Sequence, residues 1–327
     1  MAKILKWGLL STARINRALI PGIRASKRSQ LVAVGSRDLK KAQEFAQEWN
    51  IPRVHGTYEE LLADAEVDAI YNPLPNHLHA EWTIKALKAG KHVLLEKPMA
   101  LSVSEVWAIA EAAQNNKKIV TEAFMYRHHP QTLKVQELIA SGVIGKVLFI
   151  HGNFTFALER SADIRWNPDF GGGSIWDIGC YPISYTRMIT GIKPASVYGT
   201  QVKSQSGVDL TFSGSMEYPN GVMAQFYSSF GLPFQTNMEV LGTDGTLSIS
   251  SPFLPKDATV PLILRQGDAE KKILFPEVEL YAGEVEDMEK AALDDHPQRL
   301  SLQESEDNIA TMVAFLESAR TGRAIKI

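Results

Sequence analysis

The chain has 327 residues, with 34 Lys and Arg against 37 Asp and Glu and a formal net charge of -3. This length exceeds one ordinary hydrophobic core, so two domains are expected. Hydrophobic residues make up 45% and charged residues 22% of the chain, a soluble globular composition. The near balance of charge argues against a nucleic-acid partner.

The single cysteine, Cys180, excludes an intramolecular disulfide and favours a reducing compartment, so a cytoplasmic location is expected. The first residues lack the apolar segment of a signal peptide, and no apolar run approaches the ~18–20 residues of a membrane span. The histidine pairs His77/His79 and His128/His129 lack Cys, Asp or Glu at ligand spacing. Neither a metal site nor a membrane association is expected.

The first 120 or so residues alternate strand and helix patterns, which predicts a parallel sheet with helical crossovers. Ligands of such sheets bind beyond the carboxyl ends of the strands, so the loops after residues 10, 36, 72 and 95 are expected to share one rim. Predicted strands are 4–10, 31–36, 67–72, 92–95 and 119–122. Predicted helices are 13–25 (broken at Pro21-Gly22), 39–49, 57–63, 80–89 and 104–115.

From residue 123 the pattern changes to successive strands separated by turn signals, which predicts a mostly antiparallel sheet. One face is expected to be covered by a helix and the other to be open for a second subunit. Predicted strands are 146–156, 196–203, 210–218, 222–229, 236–241, 247–250 and 262–266. Predicted helices are 132–140, 175–190, 284–293 and 304–319.

The expected fold is therefore α/β. An N-terminal doubly wound parallel sheet of the Rossmann type, residues 1–122, is predicted to bind a dinucleotide. A C-terminal α+β domain with a large, mostly antiparallel, open-faced sheet, residues 123–327, is predicted to bind substrate and to form oligomers.

The loop after the first strand, Ser11–Asn16, lacks the glycines of a G-x-G-x-x-G fingerprint. Small side chains at Ser11 and Ala13 still let backbone amides approach a pyrophosphate, and the helix N-terminus adds partial positive charge. The alternative is a plain strand-to-helix turn. Cofactor contacts are predicted for Ser11, Thr12, Ala13, Arg14 and Ile15.

The second strand ends in Ser36-Arg37-Asp38, with a hydroxyl and a guanidinium where an NAD site would place a carboxylate. These groups suit a 2′-phosphate, and Lys41 lies one turn into the next helix. NADP(H) is therefore predicted over NAD(H). Further cofactor contacts are predicted on the other rim loops, at Asn72, Pro73, Leu74, Pro75, His77, Glu96 and Lys97.

Two groups of residues suggest the reacting centre. Lys97 ends an apolar strand within Glu96-Lys97-Pro98, and Asp177 and Tyr181 are four apart on a predicted helix. A phenol with a pKa near ~10 needs a nearby ammonium to act as an acid or base at neutral pH. Lys97, Tyr181 and Asp177 are therefore candidate catalytic residues. The alternatives are a surface Glu-Lys pair, a buried helix aromatic and a capping carboxylate.

The glycine-rich run before this helix makes Ser174 a candidate N-cap. Arg165 and Trp166 are candidate substrate contacts, although Trp166 has packing as its alternative role. Phe124 and Arg127, on a loop that helps to shape the pocket, complete the predicted substrate set.

The chain resembles the Gfo/Idh/MocA oxidoreductase family over nearly its whole length. The tyrosine four residues after Asp177 is typical of the branch that holds dimeric dihydrodiol dehydrogenases and NADP-dependent xylose dehydrogenases. The resemblance implies that Lys97 and Tyr181 form the catalytic pair, that Asp177 assists, and that the Lys97-Pro98 bond is cis. It also implies a homodimer or homotetramer formed through the open sheet face. The motifs that carry it are Asp68–Pro73, Pro75–His79, Ala89–Val93, Glu96–Pro98, Glu122–Arg127 and Gly171–Tyr181.

The leading interpretation is an NADP(H)-dependent oxidoreductase that transfers a hydride to or from a secondary hydroxyl or hemiacetal carbon of a sugar, cyclic polyol or diol. Two alternatives stay open. One is an NADP-binding redox sensor without turnover, and the other is a redox-neutral enzyme with a tightly bound cofactor.

Overall fold

The computed structural model of the chain describes residues 3–255 and 257–327. Contacts between Cα atoms divide the chain into two compact units. The first unit runs up to Met125 and includes the later segment Glu279–Glu306, and the second comprises Tyr126–Val278 and Asp307–Ile327.

Nine α-helices and fifteen strands are present in the described residues. The helices are α1 Asn16–Ala25, α2 Leu39–Glu48, α3 Tyr58–Ala63, α4 His79–Lys88, α5 Val103–Asn116, α6 Pro130–Ala140, α7 Cys180–Thr190, α8 Ala282–Asp294 and α9 Leu302–Thr321. The strands are β1 Leu5–Leu10, β2 Ser29–Gly35, β3 Arg53–His55, β4 Ala69–Asn72, β5 His92–Glu96, β6 Val120–Ala123, β7 Val147–Thr155, β8 Ser196–Lys203, β9 Asp209–Glu217, β10 Met223–Ser229, β11 Gln235–Gly242, β12 Thr246–Ser250, β13 Leu262–Gln266, β14 Ala269–Ile273 and β15 Ile325–Lys326.

The first unit contains a six-stranded sheet in the order β3-β2-β1-β4-β5-β6, in which every pair is parallel. The central strands are buried on both faces, as in the run Leu9, Leu10 and in Val93–Leu95 of β5. Parallel sheets are covered by helices on both sides, so their strands read as continuous apolar runs. The predicted doubly wound parallel sheet is confirmed.

The predicted break of the first helix at Pro21-Gly22 is wrong, because α1 continues through Pro21 to Ala25. Gly22 serves a different purpose. A Cβ atom on it would lie 3.0 Å from the backbone carbon of Tyr281, so the glycine allows α1 to approach the chain just before α8. That partner is distant in sequence, and a local pattern does not reveal it.

The second unit contains a nine-stranded sheet in the order β14-β13-β12-β11-β7-β10-β9-β8-β15. Its pairs are antiparallel except for β7 with β10, which confirms a mostly antiparallel sheet. The short strands β3, β14 and β15 were not predicted. On one face, Phe212 and Phe226 stack at 6.1 Å between ring centroids and both contact Phe315 of α9.

Within residues 3–255 and 257–327, no helix is both long enough and apolar enough to cross a membrane. In the same part of the chain, no group of three His, Cys, Asp or Glu side chains is arranged to hold a metal ion.

Candidate active site

In the first sheet, β1, β2 and β3 follow one another towards one edge, and β4, β5 and β6 follow one another towards the other edge. The strand order therefore reverses between β1 and β4, which are parallel, hydrogen-bonded neighbours. Loops that follow the carboxyl ends of parallel strands lie at the same edge of the sheet, and ligands of such sheets bind at this reversal. The loops after β1, β2, β4 and β5 therefore share one rim. These loops, together with the last strand residues Asn72 and Glu96, carry the residues predicted to contact the cofactor, apart from Lys41 in α2.

The loop between β1 and α1 turns sharply at Ser11, which has a positive φ of 91°. The Ser11 hydroxyl accepts a hydrogen bond from the Ala13 N–H at 3.2 Å, and the buried Asn16 amide donates to the Ser11 carbonyl at 2.8 Å. No side chain caps the N-terminus of α1. Small side chains, a fixed turn and an uncapped helix terminus together suit an anionic group.

The tip of β2 presents Arg37 to solvent, with its guanidinium carbon 6.0 Å from the ring centroid of Tyr58. A guanidinium near an aromatic ring is favoured electrostatically, which helps to fix its position. The neighbouring Lys41 ammonium lies 3.7 Å from the Asp38 carboxylate, and Asp38 also accepts a hydrogen bond from the Lys41 N–H at 3.1 Å. The charge of Lys41 is therefore partly balanced, whereas Arg37 lies against a neutral ring.

The loop after β4 is held by the fully buried side chain of Asn72. Its Oδ1 accepts from the Leu74 N–H at 3.2 Å and its Nδ2 donates to Thr83 Oγ1 at 3.0 Å. Pro73 and Leu74 are buried as well. The amide of Asn72 thus shapes this loop, and Pro75 and His77 stay half-buried at the rim.

His79, the first residue of α4, connects two rim loops. Its Nδ1 lies 2.7 Å from the Pro98 carbonyl and its Nε2 lies 2.6 Å from the Leu74 carbonyl. Burial lowers the pKa of His79 to about 4, although both carbonyls act in the opposite direction. His79 therefore has a structural role, because it connects the loop after β4 to the loop after β5.

Lys97 follows directly after the last residue of β5 and is half-buried at the rim. Its backbone N–H donates to Glu96 Oε2 at 3.3 Å, and the buried Tyr71 hydroxyl donates to Glu96 Oε1. The Lys97-Pro98 peptide bond is cis, as the family resemblance implied. Glu96 is thus fixed by a neighbouring strand, and it fixes the backbone of Lys97 in turn.

Glu284 of α8 brings a second carboxyl group to this part of the first unit. Its side chain is 1% exposed, and neither of its oxygens has a hydrogen-bond partner among the described residues. Burial first, and the charge of Glu96 second, raise the pKa of Glu284 well above its usual value. Sequence reasoning missed Glu284; the one local signal is an acidic residue on the same buried helix face as Met288.

In the second unit, the segment with Asp177 and Tyr181 was predicted to be one regular helix, but the structure shows two kinds of helix there. Residues Ile175–Gly179 form a π-helical turn, and Tyr181 lies in the first turn of α7. The Tyr181 side chain is 5% exposed, and its ring centroid lies 5.4 Å from those of Phe154 and Phe253. π-Helical turns are frequent at functional sites, which agrees with the predicted importance of this segment.

Asp177 accepts a hydrogen bond from the Arg165 guanidinium, with 2.6 Å between Nε and Oδ2. Asp163 accepts a second one from Arg165 Nη1 at 3.1 Å. The charge of Asp177 chiefly, and of Asp163 in addition, raises the pKa of Arg165 above its already high value, so the guanidinium stays charged. Two of the predicted site residues, Arg165 and Asp177, are therefore in direct contact.

The other predicted substrate residues differ in exposure. Trp166 is partly exposed, donates to the Arg160 carbonyl at 2.9 Å and packs against Phe230 at 5.5 Å. In contrast, Phe124 is 1% exposed and Arg127 is 5% exposed, so both present little side-chain surface to a ligand.

The prediction that the Ser174 side chain caps the following helix is wrong, because it accepts no capping hydrogen bond. Instead, the Ser174 hydroxyl donates to Asp209 Oδ2 at 2.6 Å, and the Ile175 N–H donates to the same oxygen at 2.8 Å. Asp209 lies on β9, a strand that follows much later in the chain, and for that reason sequence reasoning missed it.

A doubly wound parallel sheet whose strand order reverses beside a loop-lined rim is typical of a Rossmann-type dinucleotide-binding domain. Comparisons with known families agree. A model of an oxidoreductase family with an NAD-binding Rossmann fold matches residues 5–124, and a GFO/IDH/MocA C-terminal domain matches residues 132–248. A D-xylose 1-dehydrogenase (NADP(+)) of Haloferax volcanii is 38% identical over 326 residues, covering 98% of this chain and 99% of its own. The chain belongs to the GFO/IDH/MocA oxidoreductase family.

Two further relatives are informative. A trans-1,2-dihydrobenzene-1,2-diol dehydrogenase of Xenopus laevis is 34% identical over 252 residues, covering 75% of each chain. The crystal structure of a 3-ketoreductase from Actinomadura kijaniata, in complex with NADP and TDP-benzene, has a TM-score of 0.90 and 29% identity. It covers 97% of this chain and 98% of its own. The predicted family resemblance is confirmed.

Proposed function

We propose that this oxidoreductase uses NADP(H) to transfer a hydride to or from a secondary hydroxyl or hemiacetal carbon of a sugar, cyclic polyol or diol. The observation that carries the proposal is the position of Lys97, directly beyond β5 on the rim where the strand order reverses. Three relatives support the substrate class and cofactor, since they are a xylose dehydrogenase (NADP(+)), a dihydrodiol dehydrogenase and a ketoreductase crystallised with NADP.

The residues of the first unit fit this cofactor. The turn at Ser11 and the uncapped N-terminus of α1 suit a pyrophosphate, and Arg37 with Ser36 suits a 2′-phosphate. Lys41 would add a weaker contact, and the backbone of the loop Asn72–Pro75, with His77, would border the ring system. The nicotinamide supplies the hydride acceptor or donor.

The protein itself supplies the proton transfer. Removing a hydride from an alcohol carbon requires that the hydroxyl proton leaves, and Tyr181 is the proposed base that takes it. The Lys97 ammonium is proposed to favour the phenolate form of Tyr181, because a nearby positive charge stabilises the negatively charged form of a phenol. In the reverse direction Tyr181 returns the proton to the carbonyl oxygen.

Asp177 and Arg165 are proposed to bind the hydroxyl groups of the substrate. A carboxylate accepts about four hydrogen bonds, so Asp177 is proposed to bind a substrate hydroxyl in addition to Arg165. The partly exposed Trp166 offers an apolar surface beside Arg165 that suits the C–H face of a ring. Phe124 and Arg127 are proposed to shape the substrate pocket from below the surface, since both are buried.

Residues 1–122 are proposed as the dinucleotide-binding domain and residues 123–327 as the domain for substrate binding and oligomer formation. A homodimer or homotetramer is proposed through the outer face of the second sheet. The exposed Tyr198 and Val202, at 44% and 61%, support this arrangement, because both alternate with inward-facing residues along β8. The single, buried Cys180 supports a cytoplasmic location.

The test is a screen of sugars, cyclic polyols and diols for NADP-dependent oxidation by the purified protein and by Lys97→Met. Turnover in the wild type and its near-complete loss in Lys97→Met, with NADPH binding retained, is expected. Full turnover in the variant would refute the mechanism. NADPH binding without any turnover would support the regulatory alternative, and cofactor retained through purification the redox-neutral one.

A further inference from the structure

The π-helical turn that carries Asp177 and leads into α7 with Tyr181 begins against a buried carboxyl group from another element. Asp209, the first residue of β9, is 4% exposed. Its Oδ2 accepts hydrogen bonds from the Ser174 hydroxyl at 2.6 Å and from the Ile175 N–H at 2.8 Å. Both donors lie at the start of the π-helical turn, where backbone N–H groups lack partners within the helix. Asp209 thus provides the cap that Ser174 does not.

The surroundings of Asp209 pack closely around this contact. The Ser174 hydroxyl also lies 2.9 Å from the Ser228 hydroxyl of β10, and both serines are fully buried. Gly173 has a φ of 116°, and a Cβ atom there would lie 2.1 Å from Asp209 Oδ1. Two neighbouring strands therefore hold the first residues of the helix in one position.

A carboxylate is a costly group at this position. Burial raises the pKa of Asp209 to about 6, even though hydrogen bonds from the Ser174 hydroxyl and from backbone N–H groups oppose the increase. All of these donors are neutral. Because the unfolded chain releases this proton near pH 4, stability falls as the pH rises from about 4 to 6, where the folded carboxyl ionises. A neutral residue would avoid this cost.

We infer that Asp209 is a positioning residue for the oxidoreductase reaction, which acts through Ser174 and Ile175 to set the place of Asp177 and Tyr181. This inference rests on the proposed function. The ionised form of Asp209 strengthens this contact, because a carboxylate binds N–H groups at a helix N-terminus more strongly than a neutral group does. Small displacements of catalytic groups are known to cost as much as ~100-fold in rate.

Asp209→Ala tests the role by kinetics. A hydrogen bond to a charged group contributes about 1.5–3 kcal/mol, so kcat is expected to fall about 10- to 150-fold. The KM for NADPH is expected to stay unchanged, because the proposed cofactor residues belong to the first unit. Glu217→Ala, at the exposed far end of the same strand, is the matched control and is expected to keep wild-type kcat.

Asp209→Asn separates positioning from general stability. This variant keeps one acceptor oxygen, so it is expected to recover most of the kcat lost in the alanine variant. It is also expected to unfold at the same or a higher temperature than the wild type at pH 8, because no buried charge forms.

Hydrogen–deuterium exchange tests the anchor even without a known substrate. In Asp209→Ala, faster exchange is expected in the peptide covering residues 174–185 and not elsewhere. A wild type without turnover refutes the proposed function, and this exchange pattern then decides the anchor alone. Wild-type kcat together with wild-type exchange in Asp209→Ala would overturn the inference. So would a general loss of protection with an equal loss of NADPH affinity.

Discussion

Replacing Arg37 by aspartate tests the choice of cofactor. The guanidinium carbon lies 6.0 Å from the Tyr58 ring centroid at the tip of β2. A charge-assisted hydrogen bond to a phosphate contributes about 1.5–3 kcal/mol, and about 1.4 kcal/mol corresponds to a factor of ten in affinity. Losing one such bond is therefore expected to raise the KM for NADP by about 10- to 150-fold, and losing more bonds is expected to raise it further. The KM for NAD, which has no 2′-phosphate, is expected to change little.

The neighbouring Lys41 provides a graded comparison. Its ammonium already lies 3.7 Å from Asp38, in an exposed pair of the kind that contributes less than about 1 kcal/mol. Lys41→Ala is therefore expected to raise the KM for NADP by less than about fivefold.

The assay is steady-state kinetics with both cofactors at saturating sugar substrate, supported by calorimetric titration with NADPH and NADH. Lys88→Asp is the control, because it makes the same charge change at the C-terminus of α4, which leads into the opposite edge of the sheet. An equal loss for NADP and NAD in Arg37→Asp would show that the reasoning about the 2′-phosphate is wrong.

Two further predictions concern stability. Burial raises the pKa of Asp64, but Arg53 at 2.6 Å, the Glu66 N–H and His55 outweigh it and bring the pKa from 3.8 to about 2. Asp64→Asn is therefore expected to lower the free energy of unfolding by about 2 kcal/mol at pH 7 and by about half as much at pH 3. Urea denaturation at both pH values measures this difference. An effect that does not depend on pH would contradict the lowered pKa of Asp64. Gly173→Ala is expected to reduce kcat more than tenfold and to destabilise the fold, because the new Cβ would meet Asp209. Gly207→Ala, with a φ of 95° and open space around it, controls for backbone conformation alone, and equal effects in both variants would argue against the clash.

Local signals predicted much of the fold. Helix α3 begins one residue after its predicted start at Thr57, and the Thr57 hydroxyl accepts a hydrogen bond from the Glu60 N–H at 3.1 Å within the same turn. The apolar runs of β1 and β5 and the change of pattern after residue 122 likewise follow from short-range periodicity.

What sequence reasoning missed depends on partners that are distant in the chain. Gly22 was interpreted as a helix breaker, but it packs against Tyr281. Ser174 was interpreted as a cap, but it donates to Asp209. Glu284 is likewise a buried acid whose relation to Glu96 only the fold reveals. Each of these residue types is also common in a local role near a helix, and a contact with a residue distant in the chain determines the role that it has in the fold.

The central proposal is that Tyr181 exchanges a proton with the substrate under the influence of the Lys97 ammonium. The most direct measurement is kcat for Tyr181→Phe, with Tyr185→Phe on the same helix as the matched control and NADPH affinity determined for both. A fall of at least about 100-fold in Tyr181→Phe, with NADPH affinity unchanged and the control near wild type, is predicted. A Tyr181→Phe enzyme that turns over substrate at the wild-type rate would contradict it.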